Sequence, residues 1–411
     1  MHLISSFYSR ARDEPVPGKT PQLFFKLAGT SFIYFQLLFF GLFCYILGSL
    51  FQQTDHTHNI RITFVDYDRD AIGRAVRLAY ASIEGKAFPT LVERPASEFP
   101  TINDLVGTVC RTEYWGALYV VKGASLRLHE ALAGDKTYNN TDAMGYIWNE
   151  AFYSSIIDSA VSVNLQLLSD TARVAYTTAN GTANISSITS PAALSAFANP
   201  WELQSINIKP TPQGSRAIYN TVVIIIVLMQ QFFYLGTLNG RYAQLKVYTL
   251  VNPYRIIITR NMITLSYTFI GSLLTMGAIW AFRAGWDVNG NQFVLSWITL
   301  WLFAHINFLI FEIFTIWLQS SFVPMALISW IVFNITSVLL PFQLSPGFYH
   351  IGYMFPAHNY YQVLINIWSL GCNPKLHYAL PVLFAWELVA LVLTSVGVFR
   401  RCHLAMAARA G

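Results

Sequence analysis

Hydrophobic and polar positions sort the chain into two regimes. Six stretches are almost purely apolar: Leu27–Phe51, Ala217–Leu238, Asn261–Phe282, Phe293–Leu318, Phe322–Phe342 and Tyr378–Phe399. A helix of about 20 apolar residues crosses the hydrocarbon of a bilayer, so each stretch predicts a span. Leu27–Phe51 is too long for a signal-peptide core and no small-residue cleavage site follows it, which predicts an uncleaved signal anchor. The pattern therefore predicts a polytopic α-helical membrane protein with six transmembrane helices, one plus five. A polar block, residues 52–216, separates the first from the second.

Within that block the periods are short. Ile60–Val65, Ala87–Val92 and Trp115–Val121 are rich in β-branched and aromatic residues and predict strands. Helices are expected from Ala71 to about Glu84 with Asp70 as cap, from about Ile102 to Thr112 with Thr101 as cap, and over Ser125–Ala133. Strand and helix patterns that alternate point to βαβ units on a mixed sheet. Phe152–Ala179 reads as one long amphipathic helix, and Pro200 to Pro210 as an extended return to the membrane. Residues 343–377 are too long for a turn and too polar to span; Pro346-Gly, Phe355-Pro-Ala-His-Asn-Tyr-Tyr and Val363–Leu370 suggest a re-entrant helix or an amphipathic surface helix.

Charge gives the layout a direction. With the N-terminus inside, the inner segments hold Arg10, Arg12, Lys19, Lys26, Arg241, Lys246, Arg255, Arg260, Arg400, Arg401 and Arg409, whereas the short outer loops hold only Arg283 and Lys375. The positive-inside rule then puts both termini in the cytosol. The expected order is a cytosolic segment (1–26), the anchor helix (27–51), an extracytoplasmic α/β domain (52–216), a five-helix membrane domain (217–399) and a cytosolic tail (400–411). The outer block has 13 basic and 16 acidic residues, which excludes a polybasic nucleic-acid surface. Sequons at Asn139, Asn180 and Asn184 fall on the same side and make them candidate glycosylation sites in a secretory-pathway or plasma membrane; Asn334-Ile-Thr lies inside a span. Cys110 and Cys372 share that side and form either one disulfide or two buried thiols; Cys44 lies in the first span and Cys402 in the tail.

Familiar ligand motifs fail on inspection. From Asp66, an EF-hand loop needs Gly at its sixth position and Glu at its twelfth, where Ala71 and Arg77 stand. Pro17-Gly-Lys-Thr lacks the first Gly of a P-loop, since Asp13 occupies that place. Asp55-His-Thr-His58 offers no third strong metal ligand. No nucleophile–base arrangement stands out, so the expectation is a non-enzyme without cofactors or metals, and any ATPase is another chain. Basic residues across Arg241–Met262, around Asn252-Pro-Tyr-Arg, offer a docking or lipid-headgroup surface. Gly236 and Gly240 would permit close approach of a second copy.

Ionisable residues inside spans are rare and face a bundle interior or a wet cavity. Here they are His305, Glu312 and Glu387. His305 and Glu312 are seven apart and share a helix face; His305 and Glu387 both sit near mid-span. The expectation is that His305 and Glu387 meet across two helices, with Glu312 nearer the cytosol. The set forms either a polar path for a headgroup or proton, or hydrogen bonds that fix helix packing.

The one-plus-five layout, Val65-Asp-Tyr-Asp with Asp66 and Gly73, Trp115-Gly-Ala-Leu-Tyr, Asn252-Pro-Tyr-Arg and Phe355-Pro-Ala-His-Asn together resemble the fungal nitrosoguanidine-resistance protein family over nearly the whole chain. That family looks like the membrane half of type-2 ABC exporters and like bacterial phage-infection-protein relatives. The resemblance implies a permease-like membrane domain acting in drug or toxicant resistance by export, or in plasma-membrane lipid homeostasis. Its implied partners are membrane lipids, a small hydrophobic substrate, and a second copy or a separate ATPase chain. The competing expectation is a non-transporting scaffold or regulator whose outer domain binds a partner.

Overall fold

The computed structural model describes residues 20–134, 138–185, 190–212 and 214–410. Arg10, Arg12 and Lys19, with the rest of the P-loop-like motif up to Lys19, lie outside them. Residues up to Gly48 form one compact unit and Ser49–Gly411 another. The first is essentially helix α1, Thr20–Ser49, which has no charged side chain after Lys26.

The second unit begins with a 3₁₀ turn, Gln53–Asn59, and an α/β lobe. Its strands are β1 (Arg61–Asp66), β2 (Thr90–Glu93), β3 (Gly116–Val120), β4 (Met144–Trp148) and β5 (Gln204–Asn207). They form one mixed sheet in the order β2-β1-β3-β4-β5. β1 runs parallel to β2 and β3, β4 is antiparallel to β3, and β5 is parallel to β4. Helices α2 (Ala71–Ile83), α3 (Ile102–Cys110) and α4 (Ala124–Leu132) follow β1, β2 and β3 in turn.

Alternation along the strands explains why both faces are covered. Ile62, Phe64, Leu118, Val120 and Tyr146 face a core shared with α2, α4 and the helices before β5. Val65, Ala117, Tyr119 and Ile147 face the other way, onto Leu105 and Val109 of α3. At the end of β1, Asp66 accepts from the backbone N–H of Asp68 and Arg69 and from Arg77 Nη2 at 2.8 Å. A Cβ on Gly73 would lie 1.9 Å from Asp66 Oδ2, so only glycine lets α2 come this close.

The lobe corrects several sequence expectations. Asp70 makes no capping hydrogen bond from its side chain; Ser125 Oγ of α4 accepts from Ile72 N–H instead, at 3.0 Å. Thr101 does cap α3, in a reciprocal box with Asp104. β2 starts at Thr90 rather than Ala87, because Pro89 has no N–H for the ladder. The single helix expected over Phe152–Ala179 is present as one continuous helical run, Ser154–Ile157, a π-helical stretch Asp158–Val163 and α5, Asn164–Ile185, so it starts two residues later, ends six residues later and carries a π-helical widening. Strand β4 and helix α6 (Pro191–Ala198) were not foreseen. β4 is buried on both faces, so it carries no polar alternation, and Gly145 is required where Tyr119 Oη closes to 2.5 Å of its would-be Cβ.

After a link over residues 208–221 come α7 (Val222–Gln244), the short α8 (Val247–Leu250), α9 (Pro253–Ala281), α10 (Gly290–Trp317), α11 (Val323–Leu339), α12 (Pro356–Trp368) and α13 (Leu376–Ala410). Among the described residues five helices are long and apolar enough to cross a membrane: α1 from Lys26, α7, α9, α10 and α13. α11 has 17 residues, about 25 Å of helix, and ends at Leu339 rather than running to Phe342.

α10 is the axis of the second unit's bundle and packs against α7, α9, α11, α12 and α13. Its side chains are accordingly buried most of the way round. α12 is not a surface helix: all side chains from Pro356 to Ile365 are buried. Asn334 of α11 caps it, accepting from Ala357 N–H at 3.0 Å, which accounts for that buried sequon without glycan chemistry. The lobe and the bundle are joined by a disulfide between Cys110, at the end of α3, and Cys372, beyond α12; of the two alternatives read from the sequence, the paired one holds.

Candidate functional site

Two polar pairs lie inside the bundle, both built on α10. A seven-residue separation turns His305 and Glu312 to one side of that helix, about 10 Å apart along it. Both are buried. Each meets a different partner.

His305 meets Glu387 of α13: Nδ1 and Oε1 are 2.6 Å apart. On the far side of the ring, Thr264 Oγ1 of α9 is 3.5 Å from Nε2, while the same hydroxyl donates to Asn261 O. The imidazole therefore bridges three helices. Glu387 uses one oxygen in this contact, and its Oε2 is buried without a hydrogen-bond partner. The expected meeting of His305 and Glu387 is present.

Glu312 stands apart from that pair. It forms an ion pair with Arg260 of α9, and both side chains are almost fully buried. The contacting atoms, Arg260 Nε and Glu312 Oε1, are close in charge but off the line of a hydrogen bond. Arg260 also donates to Asn239 Oδ1 at 2.8 Å and Tyr248 Oη at 3.3 Å. Arg401 of α13 donates to Tyr248 Oη at 2.9 Å and to Thr315 Oγ1 at 2.7 Å. Two guanidinium groups thus share the neutral acceptors Asn239 Oδ1 and Tyr248 Oη, and Arg260 alone also pairs with the Glu312 carboxylate. Among the described residues no hydrogen bond links this cluster to His305–Glu387.

Above the His305–Glu387 pair is a cavity of about 340 Å³ between α9, α10 and α13. Leu265, Ile298, Trp301, Leu302, Leu380 and Phe384 form its walls, and His305 and Glu387 its polar end. Trp301 is fixed by donating Nε1–H to Leu265 O at 3.2 Å. On α13, Pro381 has no N–H to give His377 O, so the helix backbone is loosened one turn before Phe384. The volume falls at the small end of ligand pockets, about 300–1,000 Å³. A second, much smaller cavity of about 40 Å³ lies where the lobe meets the bundle, between Tyr114, Trp115, Phe152, Gln362, Asn373 and Lys375.

The other candidates are placed as follows. His56 and His58 both turn Nδ1 onto backbone carbonyls of their own turn, Gln52 O and Asp55 O, and among the described residues no three His, Cys, Asp or Glu converge on a metal position. Asn139 is exposed in a turn, bonded to Thr141 and Asp142. Asn180 and Asn184 fall in the last turns of α5, and their side chains lie outside the described residues. Of the basic stretch between α7 and α9, Arg241, Lys246 and Arg255 are exposed, but Arg260 is withdrawn into the bundle. Nothing lies within 4 Å of a Cβ built on Gly236 or Gly240.

Arg260 is the residue that sequence reasoning missed. It adjoins the predicted span at Asn261, so the sequence alone reads it as a loop charge. The available signal was one unmatched acid, Glu312, near the same end of the neighbouring span.

Five apolar helices of spanning length among the described residues, together with one small mixed sheet, make this chain a polytopic membrane protein. Residues 31–392 match the family described as a protein of unknown function, DUF3533, and the chain belongs to that family. No curated protein matches it.

Proposed function

We propose that the chain is a permease-like membrane protein that binds amphipathic molecules from the bilayer in the α9–α10–α13 cavity and exports or redistributes them. The observation that carries this reading is the pairing of an apolar cavity with a buried His305–Glu387 pair at its end. A helix that only packs has no need of an ionisable pair beside an open apolar space, because burying charge in hydrocarbon is costly. On this reading α11 is the sixth span, and α12 is the re-entrant helix, buried in protein as such helices must be.

The proposed orientation puts the lobe outside the cytosol and both termini inside it. The Cys110–Cys372 disulfide supports that side, since such bonds persist in oxidising compartments, and Asn139 is exposed there for a glycan. The plasma membrane or the secretory pathway of a fungus is the proposed location. The role follows the resemblance to nitrosoguanidine-resistance proteins: tolerance of drugs or alkylating agents, or lipid homeostasis. Movement against a gradient would draw on a separate ATPase chain, and the proposed partner within the membrane is a second copy.

The test is accumulation of a labelled toxicant in cells that express the wild type, Glu387→Gln or neither. The reading expects less accumulation with the wild type alone. Equal accumulation in all three would remove export from the account.

A further inference from the structure

We propose that the α9–α10–α13 cavity selects lipophilic amines, bound as ammonium cations with Glu387 as counter-ion. The inference rests on the cavity being a substrate site and adds the chemical class of its occupant.

Charge complementarity is the first ground. Of the side chains that line the cavity, Glu387 is the only acid, and no Lys or Arg is among them. When His305 is neutral it donates one hydrogen bond to Oε1 and brings no formal charge, and the pair then presents the single negative charge of the carboxylate to an apolar space. Oε2 has no hydrogen-bond partner among the described residues. A carboxylate held away from water is tolerated only when paired and hydrogen-bonded on its remaining lone pairs. A primary or secondary ammonium group supplies both the charge and the missing donors. The terminal torsion of a glutamate is soft, so the carboxylate turns as a whole to share its two oxygens between His305 Nδ1–H and a bound ammonium without movement of α13.

The walls specify the rest of the molecule. Leu265, Ile298, Leu302 and Leu380 offer only apolar surface, suited to an alkyl or aryl body. Trp301 and Phe384 add aromatic faces, which attract cations. An alkyl carboxylate would meet a like charge. An alkyl alcohol would gain one hydrogen bond to Oε2 but no ion pair. A volume of about 340 Å³ suits a single chain better than a two-tailed phospholipid.

Photolabelling of the full-length protein in lipid nanodiscs tests this. Three probes share one decyl chain and one diazirine and end in an amine, an alcohol or a carboxylate; labelled peptides from α9, α10 and α13 are counted by mass spectrometry. The amine should label these peptides at least about tenfold more than either other probe, the lower range for a charge-assisted hydrogen bond. Glu387→Gln should erase that preference, while Glu130→Gln on the exposed face of α4 leaves it intact. Should Glu387→Gln fail to fold, the amine-to-alcohol ratio in the wild type still decides. Equal labelling by amine and alcohol would overturn the amine class and leave cavity occupancy standing. Absence of cavity labelling by every probe would overturn both.

Discussion

His305 Nδ1 and Glu387 Oε1 lie 2.6 Å apart across residues 82 positions distant in sequence. The contact ties the central helix α10 to α13, and it does so at the polar end of the cavity. Among the described residues each side chain is the other's only strong partner, so the two must be judged as a unit.

Removing either partner should therefore separate folding from function by degree. Glu387→Ala leaves His305 buried without its acceptor and should cost about 3 kcal/mol, the scale for breaking a buried pair. Glu387→Gln keeps an acceptor for Nδ1–H and should cost less than about 1.5 kcal/mol, a typical net hydrogen bond. Thermal unfolding in detergent reads the stability difference. Substrate handling should be lost in both.

Arg260 and Glu312 should behave as a coupled buried pair. Glu312→Met strands Arg260, and Arg260→Met strands Glu312; each should destabilise by about 3–5 kcal/mol. The double variant, which buries two apolar side chains instead, should recover most of that loss. A double-mutant cycle on unfolding measures the coupling, and additive losses would contradict the ion pair as described.

The Cys110–Cys372 bond should be present in protein taken from its own membrane. Non-reducing digestion should yield one cross-linked peptide pair, and reduction should free it. Cys372→Ser should lower the unfolding stability by about 2–4 kcal/mol, the usual range for a native disulfide, and should raise proteolysis of the lobe first, because α3 loses its covalent tie to the bundle.

Gly73→Ala should damage the lobe from a site far from the cavity. The new Cβ would meet Asp66 Oδ2 at 1.9 Å, and Asp66 is itself held by two backbone N–H groups and Arg77. Overpacking of this kind costs about 1–3 kcal/mol. Calorimetry of the full chain should show the lobe's transition lowered while the bundle's is kept.

Acid should loosen the turn that follows Cys110. Arg111 Nε and Thr108 Oγ1 both donate to the Glu113 carboxylate, and these bonds hold its pKa below the ordinary glutamate value. Their stabilisation is full above the unfolded value of about 4.3 and is lost as pH falls through the lower folded value. Glu113→Gln should flatten that part of the stability-versus-pH curve, read by denaturation of the full chain between pH 2 and 6.

What the sequence made legible follows from where it had contrast. His305, Glu312 and Glu387 stand out because each interrupts a long apolar helix, and a seven-residue spacing fixes a shared face regardless of tertiary detail. Asp66 and Gly73 were visible as a strand end and a helix start, but their contact was not, since it depends on how closely α2 approaches β1. β4 is buried nearly all round, so it lacks the polar face that would mark its period; α12 was legible as a helix, but its polar residues His358, Asn359 and Gln362 are buried in protein, which its sequence does not distinguish from a surface face. The partner of Glu312 was hidden for another reason: Arg260 adjoins the cytosolic border of the predicted span, where a positive charge is expected in any case, whereas α9 begins seven residues earlier at Pro253. Cys110 and Cys372 are 262 residues apart, and no local spacing carries such a pairing.

The most direct test of the cavity's role is movement of an amphipathic dye across vesicles containing the purified protein, with and without ATP and a co-purified ATPase. The account predicts protein-dependent movement that Glu387→Gln abolishes while the variant remains folded. Movement that is unchanged in Glu387→Gln, or no movement by the wild type under either condition, would contradict it.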